Sequence, residues 1–445
     1  MIGPFPWEPF PPGEPEPKGP DPMQSLAYRS AVTASDAYRS VRLAVRPEGG
    51  ALRLGNRFVA DGRYREVALL AFGRAAYSMA LAALHALGDR ITQGFLAGPE
   101  PAPPELPFRG LTVPPGWGGA PHAGDAVNAA IEIAGALTEQ DLLLVLLSPG
   151  AIRALAMPPP GQTCEEFARL LEGAHAAGAT GREVDLLGRV LGSGAVGGRL
   201  AGALARADAT TLIVERGEGP LVVGGGPMQP VAPAERVEAR SVLARVGLVD
   251  EVPPPALDGL APGAEGPLAG VRRRERPVLV AGPGEALRAA ADALFDKGWT
   301  SRLAFLGLPD GPEEAADRFL ARSDDLVQAE GPAGRGHRTK GVATFAMLTL
   351  GLPEGVDDGP ALGQFLGRAS ATLRRREMSV GLFRTAGAPG NAPYPAGAVV
   401  GSPVDADAGV PRGRARAVPM RAGITDVGLL AVSLTPVTRT FDRSR

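Results

Sequence analysis

Residues 141–163 read DLLLVLLSPGAIRALAMPPPGQT, and this stretch decides the fold that we predict for the chain. Its apolar run, residues 142–147, has no polar interruption and stops at the Ser148-Pro149-Gly150 turn. A short apolar run that ends in turn residues is typical of a strand buried on both faces of a parallel sheet. Open sheets of this type bind ligands just beyond the carboxyl ends of their strands. We therefore expect a ligand-binding loop directly after this strand.

Length and composition predict a globular protein with two domains. The chain has 445 residues, which is too long for one ordinary core. Of its residues, 44% are hydrophobic and 21% are charged, which is typical of a globular protein. A net charge of -2 provides no global field for nucleic acid or an anionic membrane, and no apolar stretch reaches the length of a membrane span. Cys164 is the one cysteine, which excludes an internal disulfide or a cysteine metal cluster and favours a reducing cytoplasm.

Strand and helix patterns alternate in both halves, which predicts an α/β fold with two domains and largely parallel sheets. We expect the first domain over residues 23–250, a linker rich in proline and glycine over 251–275, and a smaller α/β domain over 276–445. Residues 1–22 contain nine prolines, and this composition predicts an extended, disordered tail. Whether translation starts at Met1 or at Met23 stays open.

Two elements of the second half are assigned from weaker patterns. Residues 326–329 predict a strand, and residues 337–350 predict a basic loop that becomes a helix. Both patterns are less regular than the apolar run at 142–147.

The common cofactor motifs are absent or incomplete. The sequence has no GxxxxGK[ST] phosphate loop. Gly282 and Gly284 follow a predicted strand as a dinucleotide fingerprint would, but Leu287 occupies the third glycine position, so we favour a tight turn. The four histidines show no ligand-like spacing, which argues against a zinc-type cluster.

Several loops, taken in chain order, match one known arrangement. The first is AFGRAAYSMALAAL, a glycine turn followed by a helix. The others are a serine- and glycine-containing loop, a GGRLA segment, one proline- and glycine-rich turn, a basic loop, an AGAVV segment and the stretch AGITDVGLLAVSL. They lie at residues 71–84, 148–155, 197–201, 222–230, 334–341, 396–400 and, before the last strand, 422–434.

With these loops in this order, the chain resembles the glycerate 2-kinase family from about residue 28 to about residue 434. Enzymes of that family pair a Rossmann-like N-terminal domain with a second α/β domain known as MOFRL. They phosphorylate glycerate with ATP and Mg²⁺. The resemblance therefore implies ATP, Mg²⁺ and a small hydroxy-acid substrate, and it leaves the oligomeric state open, a homodimer included.

The resemblance also implies roles for particular side chains. Arg74 stands where the family has a lysine at the transferring phosphate, and arginine can hold phosphate oxygens with two parallel hydrogen bonds. Arg189 is the implied clamp for the substrate carboxylate, and the metal ligands stay unknown. The implied substrate- and nucleotide-binding residues are Ser148, Gly150, Arg153, Ser193, Gly226, Arg335, Arg338, Lys340 and Asp426.

Residues that phosphoryl transfer needs are replaced at several positions. Pro149 and Ile152 interrupt the family's serine- and glycine-rich loop, and Val190 and Val196 stand at two lysine positions. No aspartate remains between residues 384 and 400, where the family has aspartates. Phosphoryl transfer depends on positioned positive charge and metal-holding carboxylates, and the loss of one preorganised donor can cost ~10²–10³ in rate. We therefore expect reduced or lost activity.

Three functions stay open. The first is a kinase whose site is rebuilt around Arg74, Arg189 and the basic loop 335–340. The second is a catalytically silent member that binds a small acid or nucleotide, or that pairs with an active relative. The third is an unrelated sugar-acid or nucleotide enzyme on a similar scaffold. In each case we expect the site in a cleft between the two domains. Its lining would be the turns at 73–74, 148–153, 224–227 and 334–340, with Arg189.

Overall fold

The computed structural model shows a mixed α/β protein built on two six-stranded sheets, which confirms the predicted α/β class. Within the part of the chain that is described, no helix is both long enough and apolar enough to cross a membrane. The structure describes residues 22–99, 102–113, 120–204, 207–215, 226–261, 277–308, 311–330, 339–348, 359–373, 378–384, 397–400, 416–418 and 429–436.

Strands and helices are numbered in chain order. The strands are β1 (Val45–Glu48), β2 (Ala51–Leu54), β3 (Arg57–Ala60), β4 (Glu66–Phe72), β5 (Ile91–Gly98), β6 (Arg109–Thr112), β7 (Asp141–Leu147), β8 (Ala156–Met157), β9 (Ser193–Gly194), β10 (Asp208–Val214), β11 (Val278–Ala281), β12 (Thr300–Leu308), β13 (Gly341–Leu348), β14 (Ser379–Arg384), β15 (Gly397–Val400), β16 (Arg416–Val418) and β17 (Leu429–Pro436). The helices are α1 (Pro22–Ala34), α2 (Ala37–Ala44), α3 (Ala76–Leu87), α4 (Ala120–Ala136), α5 (Ala151–Leu155), α6 (Cys164–Ala176), α7 (Gly181–Leu191), α8 (Arg199–Ala203), α9 (Pro233–Val246), α10 (Pro254–Asp258), α11 (Pro283–Phe295), α12 (Pro312–Glu330) and α13 (Gly359–Leu373).

The first sheet has the order β11-β10-β7-β4-β5-β6, and every neighbouring pair in it is parallel. Strand β7 lies inside it, and all seven of its residues are buried. Leu144 belongs to an apolar cluster that contains Met79 of α3, whereas Val145 belongs to a second cluster that contains Phe167 of α6. Helices therefore cover both faces of the sheet, as the uninterrupted apolar run predicts.

The second sheet has the order β12-β13-β17-β14-β15-β16 and is mostly antiparallel. Only β12 and β13 are parallel neighbours among its described strands. The expectation of a largely parallel sheet is wrong for this half. The reason is β17, which enters between β13 and β14 and runs antiparallel to both, with Val432 opposite Phe345 and Gly381.

Helices α1 and α11 join the two sheets through a shared core. The ring of Tyr28 in α1 stacks on Phe383 of β14 with a centroid distance of 5.2 Å. Gln24 Nε2 donates a hydrogen bond of 3.3 Å to Ser379 Oγ. One apolar cluster contains Leu69 of the first sheet together with residues of the second. The N-terminal helix thus packs against a strand that lies more than 300 positions later in the chain.

Two predicted elements of the second half are wrong. Residues 341–348 form the buried strand β13 and not a helix, and residues 326–329 belong to α12 and not to a strand. Eight consecutive small and apolar residues fit either structure. The strand is favoured because its two faces enter different clusters, with Phe345 in one and Leu348 in the other.

The domain boundaries stay a prediction. Strand β11 falls in the predicted second domain, yet it pairs with β10 and forms one edge of the first sheet. Residues 1–21 of the predicted tail and residues 262–275 of the predicted linker lie outside the described residues.

Candidate active site

The carboxyl ends of three neighbouring strands form the edge at which the sequence predicts a ligand-binding loop. Phe72 of β4 pairs in register with Leu147 of β7, and Leu147 pairs with Ile213 of β10. Adjacent strands lie about 4.8 Å apart, so the chain leaves these three positions within about 10 Å. This region, called the carboxyl edge below, is where open parallel sheets bind ligands.

The Gly73–Arg74 turn leads from β4 into α3 and rests on the loop that follows β7. Gly73 has a φ of +105°, in the left-handed region that favours glycine. A Cβ at this position would overlap the carbonyl of Ser148 and lie 2.6 Å from the Pro149 carbonyl oxygen. The Arg74 amide donates a hydrogen bond of 2.8 Å to that Pro149 oxygen. The backbone of Arg74 is therefore fixed at the carboxyl edge.

The Ser148 side chain holds this turn in place with two hydrogen bonds. It is fully buried, and its hydroxyl donates to the Phe72 carbonyl at 3.1 Å and accepts from the Ala75 amide at 3.0 Å. The two bonds join the end of β7 to the end of β4 and to the residue before α3. The hydroxyl predicted to bind substrate is thus held by the protein backbone.

The loop after Ser148 offers few amide donors to an anion. Gly150 has a φ of +91° and precedes the short helix α5. Pro149 has no N–H, and the Ala151 amide donates to the Ser148 carbonyl at 3.0 Å. Ile152 is 2% exposed and packs in the core. Pro149 therefore removes one donor of a possible anion-binding nest, and the Ala151 amide is already used within the loop.

Arg153 points into the protein, where α5 meets α7. Its side chain is 6% exposed, and its Nε lies 3.7 Å from Oδ1 of Asp185. Asp185 is a partner that the sequence did not reveal. This ion pair joins two helices behind the loop and gives Arg153 a structural contact.

Arg189 is the most deeply buried of the predicted site residues with a charge. Its side chain is 1% exposed and forms an ion pair with Glu235, while Nη2 donates to the carbonyls of Gln229 and Pro230 at 3.3 Å each. Glu235 also accepts a hydrogen bond of 2.6 Å from the Ala232 amide at the start of α9. Burial lowers the pKa of the Arg189 guanidinium to about 10, which leaves it charged at neutral pH. Arg189 therefore tethers α7 to α9 and the loop before it.

Ser193 of β9 and Gly226 lie close to this tether. Ser193 Oγ donates to the Pro158 carbonyl at 2.6 Å, next to the short pairing of β8 with β9. The Gly226 carbonyl accepts from the Gly198 amide at 3.2 Å. Both residues thus hold together the layer of short helices that follows β7.

Of the predicted site residues that the structure describes, Arg74, Ser148 and Gly150 lie at the carboxyl edge, whereas Lys340 lies elsewhere. Lys340 is exposed, and its amide donates to the Gly298 carbonyl beyond the end of α11. Because α11 starts after β11 at the carboxyl edge and has 13 residues, Lys340 lies about 20 Å from that edge. Arg335, Arg338 and Asp426 lie outside the described residues.

Glu215 is a carboxylate that the motifs of the sequence did not single out. It directly follows β10, is 2% exposed, and its amide donates to the Ala281 carbonyl at 3.0 Å. The signal that could have found it is a charged residue immediately after a buried strand. Its position places a carboxylate at the carboxyl edge, beside the end of β7.

Comparison with known proteins agrees with this architecture. The sequence profile described as "Domain of unknown function (DUF4147)" matches residues 24–261, just over half of the chain. The chain belongs to the DUF4147 family. This DUF4147 protein is 28% identical to a glycerate kinase of Danio rerio over 58% of its own length and 55% of the relative's. It is 32% identical to a glycerate kinase of Homo sapiens over 42% and 38%, respectively. The chain spans about half the length or less of the curated relatives it matches.

Two solved structures share the fold over nearly the whole chain. A glycerate kinase from Thermotoga maritima gives a TM-score of 0.63 at 19% identity and covers 94% of this chain and 100% of its own. A protein from Pyrococcus horikoshii gives a TM-score of 0.69 at 17% identity and covers 93% and 98%. The profile, the curated relatives and the shared fold confirm the resemblance of this DUF4147 protein to the glycerate 2-kinase family.

In this DUF4147 protein, the carboxyl edge combines a cation on a fixed backbone with a buried carboxylate. Arg74 supplies the cation and Glu215 the carboxylate. Ser148, Arg153 and Arg189 bind protein groups behind them.

Proposed function

We propose that this DUF4147 protein is a glycerate 2-kinase-type phosphotransferase with reduced turnover. It binds ATP and glycerate, or a related small hydroxy acid, at the carboxyl edge. The observation that supports this most is the Gly73–Arg74 turn, which Ser148 and Pro149 hold in place. The curated relatives named glycerate kinase support the reaction class.

Arg74 would bind the transferring phosphate. Its amide bond to Pro149 fixes the start of the side chain, and the guanidinium can donate two parallel hydrogen bonds to phosphate oxygens. Charge spreads over those oxygens during transfer, and a positioned cation stabilises it. Arginine and lysine present this charge with different geometry, so we expect a slower reaction than a lysine supports.

Mg²⁺ would arrive with ATP. This ion commonly uses one or two carboxylates together with substrate phosphates, so a single carboxylate at the carboxyl edge fits it. Glu215 would hold the ion, which would neutralise phosphate charge. Within the described ranges, no group of three histidine, cysteine, aspartate or glutamate residues is placed to hold a metal, so an ion held by Glu215 would need the phosphates to complete its coordination.

Reduced turnover follows from the groups that are already engaged. The Ser148 hydroxyl bonds to backbone atoms, and Arg189 pairs with Glu235. The single O–H of Ser148 is donated to the Phe72 carbonyl, and the Arg189 side chain is 1% exposed, so neither group presents a donor to a bound phosphate. Each missing donor of this kind costs ~10²–10³ in rate.

A catalytically silent member that binds a small acid or a nucleotide is the second candidate. The burial of Arg189 favours it, because the implied substrate clamp is 1% exposed and faces Glu235. The two candidates share a binding site and differ in turnover.

Calorimetric titration of Mg-ATP into the full chain, with and without D-glycerate, tests the binding step. We expect saturable Mg-ATP binding that D-glycerate strengthens, and about tenfold weaker binding in Arg74→Ala because a charge-assisted hydrogen bond is lost. Arg169→Ala, which removes an exposed arginine of α6, is the matched control and should bind like the wild type. The absence of Mg-ATP binding in the wild type would reject both the kinase and the nucleotide binder.

A further inference from the structure

A cavity that Arg74 does not line lies on the outer side of β11. It measures about 850 Å³ and is bounded by α1, α2, the β1–β2 hairpin, β11 and α11. Four arginines from four different elements line it, namely Arg29 of α1, Arg39 of α2, Arg46 of β1 and Arg53 of β2. We call it the arginine groove. Its volume lies within the range of about 300–1,000 Å³ that small-molecule sites occupy.

Three of these arginines have no acidic partner in the described part of the chain. Arg46 forms an ion pair of 3.1 Å with Glu48. Arg29 donates from Nε to the carbonyl of Ser25 at 3.4 Å, and Arg53 donates from Nε to the carbonyl of Gly55 at 3.1 Å. Both use one donor of the five that a guanidinium carries. The groove therefore keeps a concentrated positive charge with open hydrogen-bond donors.

The opposite wall of the groove is apolar and ends in a carboxylate. Leu279 of β11 and Leu43 of α2 line it and are 37% and 51% exposed. Glu285, at the start of α11, also lines the groove, and its Oε2 is buried without a hydrogen-bond partner in the described residues. Leaving a buried acceptor unpaired costs free energy, so a ligand that donates a hydrogen bond to Oε2 would be bound more tightly.

These three features select one class of ligand. Guanidinium groups bind phosphate with paired, charge-assisted hydrogen bonds, and leucine side chains bind a carbon framework. A ligand hydroxyl would donate to Glu285. We propose that the arginine groove binds a small organic phosphate, with its phosphate on Arg29, Arg39 and Arg53, its carbon framework on Leu279, and a hydroxyl on Glu285.

This site is independent of the proposed phosphotransfer. Arg74 and Glu215 do not line the groove, which opens on the free edge of β11. The ligand would therefore act as an effector or a second ligand of the protein, whether or not the carboxyl edge transfers phosphate.

Calorimetric titration of inorganic pyrophosphate into the full chain at low ionic strength tests the proposal. We expect saturable binding to the wild type and a Kd at least about tenfold higher in the double variant Arg39→Gln, Arg53→Gln, since each loses charged hydrogen bonds. The double variant Arg169→Gln, Arg240→Gln removes two exposed arginines from α6 and α9 with the same change in net charge, and it should bind like the wild type. Thermal unfolding of both double variants checks that the fold is kept.

The result that would overturn the proposal is pyrophosphate binding that is absent, or that weakens equally in both double variants. Arg74→Ala separates this site from the carboxyl edge. We expect it to leave pyrophosphate binding in the groove unchanged. If Arg74→Ala abolishes the binding while Arg39→Gln, Arg53→Gln keeps it, the anion binds at the carboxyl edge, the groove proposal fails and the proposed function gains support.

Discussion

Replacement of Arg189 by alanine is expected to lower the free energy of unfolding by about 3–5 kcal/mol. The substitution leaves the Glu235 carboxylate without its guanidinium partner in a site where Arg189 is 1% exposed. It also removes the donors to the Gln229 and Pro230 carbonyls. Urea denaturation monitored by circular dichroism measures the loss.

Two further variants test whether Arg189 acts as a tether between α7 and α9. Arg245→Ala breaks the ion pair with Glu183, in which the arginine is 49% exposed, and should cost no more than about 1 kcal/mol. The double variant Arg189→Met, Glu235→Leu should be more stable than Arg189→Ala, because it leaves no unpaired charge. If Arg189→Ala instead keeps its stability and loses D-glycerate binding, Arg189 is the substrate clamp that the family resemblance implies.

Gly73→Ala is expected to destabilise the protein by about 3–5 kcal/mol and to abolish ligand binding at the carboxyl edge. The φ of +105° is strained for alanine, and the added methyl group would meet the carbonyls of Ser148 and Pro149. Relief of that overlap must move Arg74 or the end of β7. Chemical denaturation gives the stability change, and Mg-ATP calorimetry gives the loss of binding.

Gly135→Ala is the matched control for this substitution. Gly135 lies exposed within α4, and a Cβ there would meet no heavy atom within 4 Å. Alanine is the better helix former by about 1 kcal/mol, so the variant should be as stable as the wild type or slightly more stable. Equal stability of Gly73→Ala and the wild type would mean that the turn adapts without cost and does not fix Arg74.

The sequence predicts the first sheet well because its central strands are buried on both faces. In β7 and β4, apolar runs of strand length end directly in turn residues, and this combination of length and boundary favours a buried strand. The same reasoning fails for β1, β2 and β3, which have four residues each and partly exposed side chains. Such short strands depend on pairing with each other and leave little periodic signal.

In the second half of the chain, the difficulty is to tell a buried strand from a buried helix. Residues 341–348 are all buried, but a run of small and apolar residues fits a helix as well as a strand. Its partner β17 lies about ninety residues later in the chain, and no local pattern announces that pairing. The predicted strand at 326–329 belongs to α12 because the pattern around it continues the helix.

The sequence predicted which loops meet at the candidate site. It did not predict which side chains are paired with acidic residues of the protein. The glycine turn and the loop after β7 do meet at the carboxyl edge. The sequence could not show that Arg189 meets Glu235, which lies 46 positions later, or that Arg153 lies beside Asp185. A resemblance between motifs indicates which residues correspond to those of the family. The role of each arginine, however, depends on the acidic side chain that lies beside it in the folded protein.

In the proposed function, the carboxyl edge transfers phosphate from ATP to a small hydroxy acid, and Arg74 binds the transferring phosphate. The measurement that tests it most directly is the formation of phosphoglycerate from D-glycerate and radiolabelled Mg-ATP by the full chain and by Arg74→Ala. We predict slow, enzyme-dependent product formation that falls by about 10²-fold in Arg74→Ala and stays unchanged in Arg169→Ala. Product formed equally by the wild type and Arg74→Ala, or no product from the wild type at any D-glycerate concentration, would contradict this proposal.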